Sequence, residues 1–374
     1  MFEIRPVRSA QQRKDFLAVP HRVYRDDPNW IAPLDAERRA ALSPKHPFFA
    51  HARWQAWVAY SDSTPVGRIC AQVDELQAET HAEPWGYFGM IEADNDPALF
   101  SDLFASAEHW LREQQRTHVV GPFNLGINQE LGLLVDGFDT PPFFLMPHGR
   151  PYYAEQVGAL GYQSAQTLLA YLCPPDFQAP AVMQRLLSRQ GERIRLRPLK
   201  RSKLQAEIAT LRDIFNDAWS ENWGFVPFTS AEFQALGQEL IMLLPGDYVQ
   251  IAEYDGKAAG FIVMLPNINE AIADLHGKLL PFGWAKALWR LKVRHPRTAR
   301  VPLMGVRKAF QQGRLGSALA FALIDEVRGK AAARGVDAVE MSWILESNQG
   351  MRSIGTAIGG HISKRYQMFE KRLT

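Results

Sequence analysis

Cysteine is nearly missing from this chain: of 374 residues only Cys70 and Cys173 are cysteines. Two thiols make neither a disulfide framework nor a metal cage, and both sit among apolar neighbours. Buried free thiols in a reducing compartment, and no metal site, are therefore expected. Long apolar runs are missing as well. No stretch reaches the roughly 18 residues that mark a membrane-spanning helix, and the opening MFEIRPVRSAQQRKDF has no apolar signal core. A cytoplasmic, non-spanning protein is the expectation. Charge is almost cancelled, +2 from 42 Lys and Arg against 40 Asp and Glu. That removes any whole-molecule field for nucleic acid and leaves basic sites to be local.

What is present is a folded chain. Hydrophobic residues make up 47% and charged residues 22%, the balance of a globular protein rather than a disordered one. With roughly 100–200 residues serving one core, the length accommodates two domains. The order of elements repeats. In the first half residues 1–7 alternate like a strand, 11–24 have helical spacing, and 54–60 (WQAWVAY) with 66–73 (VGRICAQV) read as a hairpin about SDSTP. A strand at 86–92 follows, then a helix opened by Pro97 with Leu99, Leu103, Ala107 and Trp110 on one face. The second half runs strand 194–199, helix 204–219, hairpin 248–265 with Asp255-Gly256 at its tip, strand 301–306, helix 315–333, strand 338–344 and a helix from about Asn348. Two passes through one plan imply an internal duplication, with halves at 1–172 and 193–374 joined by the proline-bearing linker 173–192.

Residues 301–319, VPLMGVRKAFQQGRLGSAL, form the stretch about which the second half is organised. An apolar strand leads into a turn punctuated by Gly313 and Gly316 and then into a helix, with Arg307, Lys308 and Arg314 around it. Backbone donors at a helix start, beside positive charge, suit a pyrophosphate. The same spacing also fits an ordinary turn between strand and helix. At the matching place the first half has Glu92, Asp94 and Asp96, which would repel such an anion.

Three further stretches stand out. Residues 216–229, NDAWSENWGFVPFT, are dense in aromatics and Asn, as a packed corner or a pocket wall would be. Residues 121–153 are too long and aromatic for a plain connection, and Asn124, Asn128 and Glu130 are their polar contributors. Residues 278–300, KLLPFGWAKALWRLKVRHPRTAR, carry seven Lys or Arg and no acid. On a helical wheel Lys286, Arg290, Arg294 and Arg297 form one stripe and Trp284, Leu288 and Leu291 the far side, with Phe282, Trp289 and Val293 flanking. A basic amphipathic helix with Trp and Phe anchors fits an anionic membrane surface. Core packing or a partner contact accounts for the apolar arc alone. Nucleic acid accounts for the charge alone and is not expected as a partner.

The segment GVRKAFQQGRLGSAL resembles the acetyl-CoA pyrophosphate loop of the GNAT acyltransferase superfamily, Gln/Arg-x-x-Gly-x-Gly/Ala after a strand. Gln311 and Gly316 match its first and last positions, and Arg314 replaces the middle glycine. Over nearly its whole length the chain resembles a bacterial family of tandem GNAT-like proteins marked by GPFNLGIN, GLLVDGFDTPP, NDAWSENWGFVP and RYQMFEK, similar to the bacterial ceramide synthases. The resemblance implies an α/β (α+β) fold of two tandem GNAT-like domains, each a mostly antiparallel central sheet flanked by helices. It implies acyl-CoA or acetyl-CoA as co-substrate, with no permanently bound cofactor, and coenzyme binding in the second half only.

On that resemblance the coenzyme contacts are expected at Met304, Val306, Gln311, Gln312, Gly313, Arg314, Leu315, Gly316, Ser317 and Asn348. Trp219, Asn222, Trp223 and Phe225 would wall the substrate pocket, with Asn124, Asn128 and Glu130 as additional contacts. An amine acceptor is protonated at neutral pH and must lose a proton before it attacks a thioester, so a base is required. Glu346, just past a strand, is the first candidate, and Asp274 and His276 are rivals. The proton-donating tyrosine of many GNAT members falls at Gly355 here, which leaves Tyr366 as a substitute. The expected activity is transfer of a fatty acyl group from acyl-CoA to the amine of a sphingoid-type lipid, at the inner face of the cytoplasmic membrane. An acetyltransferase acting on a small-molecule or peptide amine, and a non-catalytic acyl-CoA or lipid-binding module, are the alternatives.

Overall fold

The computed structural model describes residues 2–81 and 83–373. The chain forms two compact units. Unit 1 comprises Met1–Leu168, Ile272–Gly283 and Lys364–Thr374, and unit 2 comprises Leu169–Ala271 and Trp284–Ser363. Division at 172 and 193 thus differs from the observed one in three places. The segments 272–283 and 364–374 go with unit 1. The stretch 173–192 is no bare linker, because Ala181–Gln190 is a helix whose Met183 and Leu187 pack on the unit 2 core.

In unit 1, strands β1 (Glu3–Pro6), β2 (Ala52–Ser61), β3 (Thr64–Asp74), β4 (Gly86–Ala93) and β5 (His118–Gly121) are hydrogen-bonded in that order. All the pairs are antiparallel except β4 with β5. A two-stranded ribbon of β6 (Phe123–Asn124) and β7 (Glu130–Leu131) and the short β8 (Leu133–Asp136) follow. The helix Ala10–Val23 starts at a capping box in which the Ser9 side chain accepts from Gln12 N and the Gln12 side chain returns to the Ser9 backbone. Its Phe16 and Val19, and Leu99, Leu103 and Ala107 of the helix Pro97–Glu113, are buried with the sheet residues of unit 1. Trp110 is only partly buried against them.

Strand β9 (Gln163–Cys173) enters unit 2 at Leu169, and β10 (Ile194–Pro198), β11 (Val249–Tyr254), β12 (Lys257–Pro266), β13 (Thr298–Val306) and β14 (Ala338–Leu345) follow. Strands β10 to β13 pair antiparallel in sequence order, and β13 pairs parallel with β14. The β11–β12 hairpin turns on Asp255 and Gly256, both at positive φ (48° and 77°), as a tight two-residue loop demands. The helix Gly313–Ala332 buries Leu319, Leu323 and Val327 on this sheet. The last strand, β15 (His361–Arg372), contributes its residues from Lys364 onward to unit 1, where Phe369 pairs with Gly121 and Tyr366 with Leu134. Each unit is therefore a mostly antiparallel sheet flanked by helices, with a parallel pair, β4 with β5 or β13 with β14.

Candidate active site

The parallel pair of unit 2 opens into a fork. Strands β13 and β14 are in register from Thr298 and Ala338 to Val301 and Met341, and there the pairing stops. Pro302, which has no N–H to give, is the next residue. On the other edge of β13, Arg307 N donates to Ala259 O (2.8 Å), so with Gly260 facing Val306 and Ile262 facing Met304 the ladder bonds fall on residues 303, 305 and 307. Met304 and Val306 therefore turn their N–H and C=O groups toward the edge that β14 has left. Both carbonyls are held by side chains: Trp219 Nε1 donates to Met304 O (2.9 Å), and Gln311 Nε2 donates to Val306 O (2.7 Å). The N–H groups of the same two residues line that edge, a placement suited to polarising a thioester carbonyl.

The turn beyond β13 stands beside this edge because Gln311 is bound to both. Gln312 is extended (φ −68°, ψ 135°) and Gly313, at φ +65°, turns the chain into the helix Gly313–Ala332. A Cβ on Gly316 would lie 2.7 Å from Gln311 O and 2.8 Å from Gln311 Cα, so only glycine lets the first helical turn sit under that backbone. No side chain caps this helix and its first turn has no acid, which leaves its leading N–H groups directed at the turn. Arg314 is exposed there. Arg307 and Lys308 are committed elsewhere: Arg307 Nε donates to Ala258 O (3.1 Å) and Lys308 Nζ pairs with Glu221 (2.7 Å).

The same places in unit 1 are filled. Asp96 Oδ1 accepts from Ala98 N (2.8 Å) and Leu99 N (3.2 Å), so the helix Pro97–Glu113 is capped by its own carboxylate. Asp94 pairs with Arg22 (2.8 Å), and Glu92, largely buried, accepts from the hydroxyls of Tyr24 and Tyr153 at 2.6 and 2.7 Å. Pairing of β4 with β5 covers only Gly86 with Val119 and Tyr87 with Val120. Beyond that point Asn124 Oδ1 accepts from Met90 N (2.8 Å), and a Cβ on Gly89 would overlap Phe123 O at 1.8 Å. Asn124, expected at a substrate, closes the fork of unit 1 instead. Its amide donates to Glu130, which is buried and ion-paired with Arg38. Asn128 is half-buried in the same loop.

The other expected residues divide between the units. In unit 2 Trp219 stacks on Phe215 (centroids 5.2 Å apart, planes at 18°), and Phe225 lies 6.5 Å from the same ring. Asn222 N donates to Trp219 O and Phe225 N to Asn222 O, which winds Trp223 into a turn after the helix Leu204–Trp219. Glu346 is exposed past the end of β14, its carbonyl accepting from Arg352 Nη1 (2.8 Å). Asn348 caps the helix Gln349–Ala357 by accepting from Met351 N. Gly355, where the resemblance places a tyrosine, lies against the ring of Tyr171, 3.0 Å from where a Cβ would stand. Asp274, His276 and Tyr366 belong to unit 1, Tyr366 fully buried on β15 and His276 exposed at φ +48°. Of the candidate bases, Glu346 alone shares a unit with the Gln311–Ser317 turn.

One group at the fork was not expected from the sequence. Arg300 and Glu340 are register partners one step before pairing ends, and with Ser342 all three are buried. Arg300 Nε donates to Ser342 Oγ (2.8 Å), Ser342 Oγ donates to Glu340 Oε1 (2.7 Å), and the guanidinium lies 4.7 Å from the centre of the Trp343 ring. The signal was Glu340 in the otherwise uncharged strand AVEMSWIL. Both cysteines are buried, which pushes each thiol up to about 12 and keeps it neutral.

The basic stretch 278–300 is helical from Gly283 to Trp289 and continues as a π-helix over Arg290–Arg294. It rests on Ala287 and Leu291, while Trp284 and Leu288, placed on the same side as Leu291 by the wheel, are exposed. Arg290 Nη1 donates to Ala271 O (3.0 Å) and Lys292 Nζ to Leu243 O (3.3 Å), so part of the basic stripe anchors the segment. Among the described residues, six of the seven exposed large hydrophobic side chains are here: Leu280, Phe282, Trp284, Leu288, Trp289 and Val293.

The chain is 48% identical over 371 residues to the bacterial ceramide synthase of Caulobacter vibrioides, covering 98% of this chain and 97% of that protein. It belongs to the tandem GNAT N-acyltransferase family. Protein YghO of Escherichia coli K12 is 49% identical over 361 residues, 96% of this chain and 93% of its own. Among solved structures, a tandem GNAT protein from the clavulanic acid biosynthesis pathway superposes with a TM-score of 0.56 at 14% identity, covering 100% of this chain and 99% of that one. No family model matches the chain. Family membership accounts for the repeated plan of strands and helices, and the duplicated GNAT units differ in that only the second keeps an open fork and an uncapped turn.

Proposed function

We propose that the protein transfers a fatty acyl group from acyl-CoA to the amine of a sphingoid-type lipid at a membrane surface. The observation that carries the reading is the contrast between the two units: the fork and helix start are open in unit 2 and closed by Asn124 and Asp96 in unit 1. The pyrophosphate binds at Gln311–Ser317 with Arg314 as its cation, and the thioester oxygen accepts from the N–H groups of Met304 and Val306. Glu346 takes the proton from the attacking amine. The amine displaces the thiolate directly, so no covalent enzyme intermediate forms and neither cysteine takes part. The likeness to the Caulobacter ceramide synthase supports the acceptor class.

Membrane docking rests on the exposed apolar residues at 280–293 and the Lys and Arg interleaved with them. Drawing a chain of about sixteen methylenes into water costs on the order of 13 kcal/mol at about 0.8 per methylene. Each basic residue close to an anionic leaflet contributes about 1 kcal/mol. An enzyme that travels to its lipid leaves the acyl chain in the bilayer and avoids most of that cost. Among the described residues no helix is long and apolar enough to cross a membrane, so attachment by this segment is the route proposed.

Thiol release from palmitoyl-CoA and from acetyl-CoA, each with and without a sphingoid amine, tests the chemistry. Amine-dependent release from palmitoyl-CoA is expected, and faster release from acetyl-CoA with a small amine would overturn the lipid assignment. Flotation with anionic liposomes tests docking. Replacing Trp284, Leu288 and Trp289 together by Ser should abolish it, and undiminished flotation would exclude this segment as the anchor.

A further inference from the structure

Unit 1 lacks the open fork and uncapped helix start of unit 2, yet its described residues line a cavity of their own. A trough of about 840 Å³ lies between the helix Ala10–Val23 and the helix Asp35–Ala41 with the turn after it. Ligand sites generally fall between about 300 and 1,000 Å³. Its walls are apolar, from Phe16, Leu17, Leu42 and Trp54. Ala10, Arg13, Lys14, Leu17 and His21 all line it and recur at the three- and four-residue spacing of one helix face. That face adjoins the one by which Phe16, Val19, Pro20 and Val23 enter the core, and Phe16 belongs to both.

The remaining wall is His276 with Lys278, stitched on where Asp35 N donates to Gly277 O (2.9 Å). Gly277, at φ +82°, passes so close to Pro33 O that a Cβ would lie 3.0 Å from it.

Charge at the rim is mostly positive. Arg13, Lys14, Arg39 and Lys278 line the trough against a single acid, Asp35. That acid is shared by Arg39 (3.7 Å) and His21 (3.8 Å). Among the described residues, Arg13, Lys14 and Lys278 have no acidic partner within ion-pair reach. Burial lowers the pKa of the His21 imidazole against the pull of Asp35, and the nearby charges of Arg68, Lys278 and His276 add to the lowering. An apolar trough edged by uncompensated cations favours a ligand that is apolar along its length and anionic at one end, and it disfavours an amine head.

We propose that unit 1 binds a single-chain amphiphile with an anionic head, its chain on Phe16, Leu17, Leu42 and Trp54 and its head on Arg13, Lys14 and Lys278. A fatty acid carboxylate and a single-chain phosphate lipid share this chemistry. The site does not depend on the reading of unit 2. It gives the unit with the closed fork a ligand of its own.

The test uses the full chain and dansylundecanoic acid as fluorescent probe. Saturable binding is expected, with displacement by palmitate or by lysophosphatidate, whichever is the better competitor identifying the head, and none by dodecylamine. Leu17→Trp, which fills the floor, and Lys14→Glu with Lys278→Glu, which reverses the rim, should each weaken the probe at least tenfold. The two kinds of change guard against one variant failing to fold. Absence of saturable binding, equal displacement by dodecylamine, or indifference to both variants would overturn the proposal. Displacement by CoA would place the probe on the unit 2 turn, which refutes the unit 1 site while leaving the acyltransferase reading intact. Conversely, a chain without transferase activity that still binds the probe upholds the site alone.

Discussion

Gly316 lies directly beneath Gln311: the missing side chain of one leaves room for the backbone of the other, and a Cβ would stand 2.7 Å from the Gln311 carbonyl oxygen. Because the obstacle is main chain, Gly316→Ala must shift the turn, at a cost of about 1–3 kcal/mol by analogy with overpacked cores. The side chain of Gln311 also holds Val306 O, so a displaced turn disturbs the fork as well. We expect Gly316→Ala to raise the KM for acyl-CoA at least tenfold while the chain remains folded by circular dichroism. An unaltered KM would remove this turn from coenzyme binding.

Trp219 is joined to the fork by one bond, from Nε1 to Met304 O, and to its own helix by stacking on Phe215. Trp219→Phe keeps the stack and leaves the carbonyl unpaired, which costs about 1–3 kcal/mol when the group is buried. The loss is expected in kcat more than in KM, since the carbonyl belongs to the residue whose N–H we propose as a donor to the thioester. Steady-state kinetics in palmitoyl-CoA decide it, and a pure KM effect would make Trp219 a wall and not a strut.

Much of this architecture was legible because it is local. The Asp255-Gly256 hairpin, the strand and helix about residues 301–319 and the acids at 92–96 each follow from neighbours in sequence, and Gly316 is marked by the resemblance of its turn to the GNAT loop. What was hidden depends on contacts between distant residues. Gly355 is packed closely against Tyr171, a contact across 184 positions that spacing does not reveal. Asp274 and His276 read as part of the second half, but the bond from Asp35 N to Gly277 O ties their segment to unit 1. Asn124 looked like a polar residue offered to substrate, and only the approach of Met90 N shows it satisfying the sheet.

Arg300 and Glu340 face each other with 1% and 0% of their side chains exposed, and Ser342 bridges them. Removing one charge strands the other in the interior, for which about 3–5 kcal/mol is typical, whereas replacing both by apolar residues of similar volume is often neutral. Glu340→Gln should therefore lower the melting temperature by more than the double replacement Arg300→Met with Glu340→Met. Calorimetry of the three proteins tests the order. If the double variant is as stable as the parent but inactive, the network serves to hold the fork, and if it is active the network is structural filler.

Glu92 supplies the pH dependence. Burial raises its carboxyl above the ordinary 4.5, and this outweighs Arg68 and the hydroxyls of Tyr24 and Tyr153, which lower it. A carboxyl whose folded pKa is raised binds its proton more tightly in the folded chain, so its contribution is fully present below about 4.5 and is lost as pH rises through the folded value. Glu92→Gln, which keeps the shape and cannot ionise, removes that dependence. The difference in melting temperature, variant minus parent, should therefore move in the variant's favour between pH 4 and pH 8. Melting curves at intervals across this range give the answer. A difference that stays flat, or moves toward the parent, would mean that Arg68 at 3.8 Å and the two tyrosine hydroxyls outweigh the burial of the carboxyl.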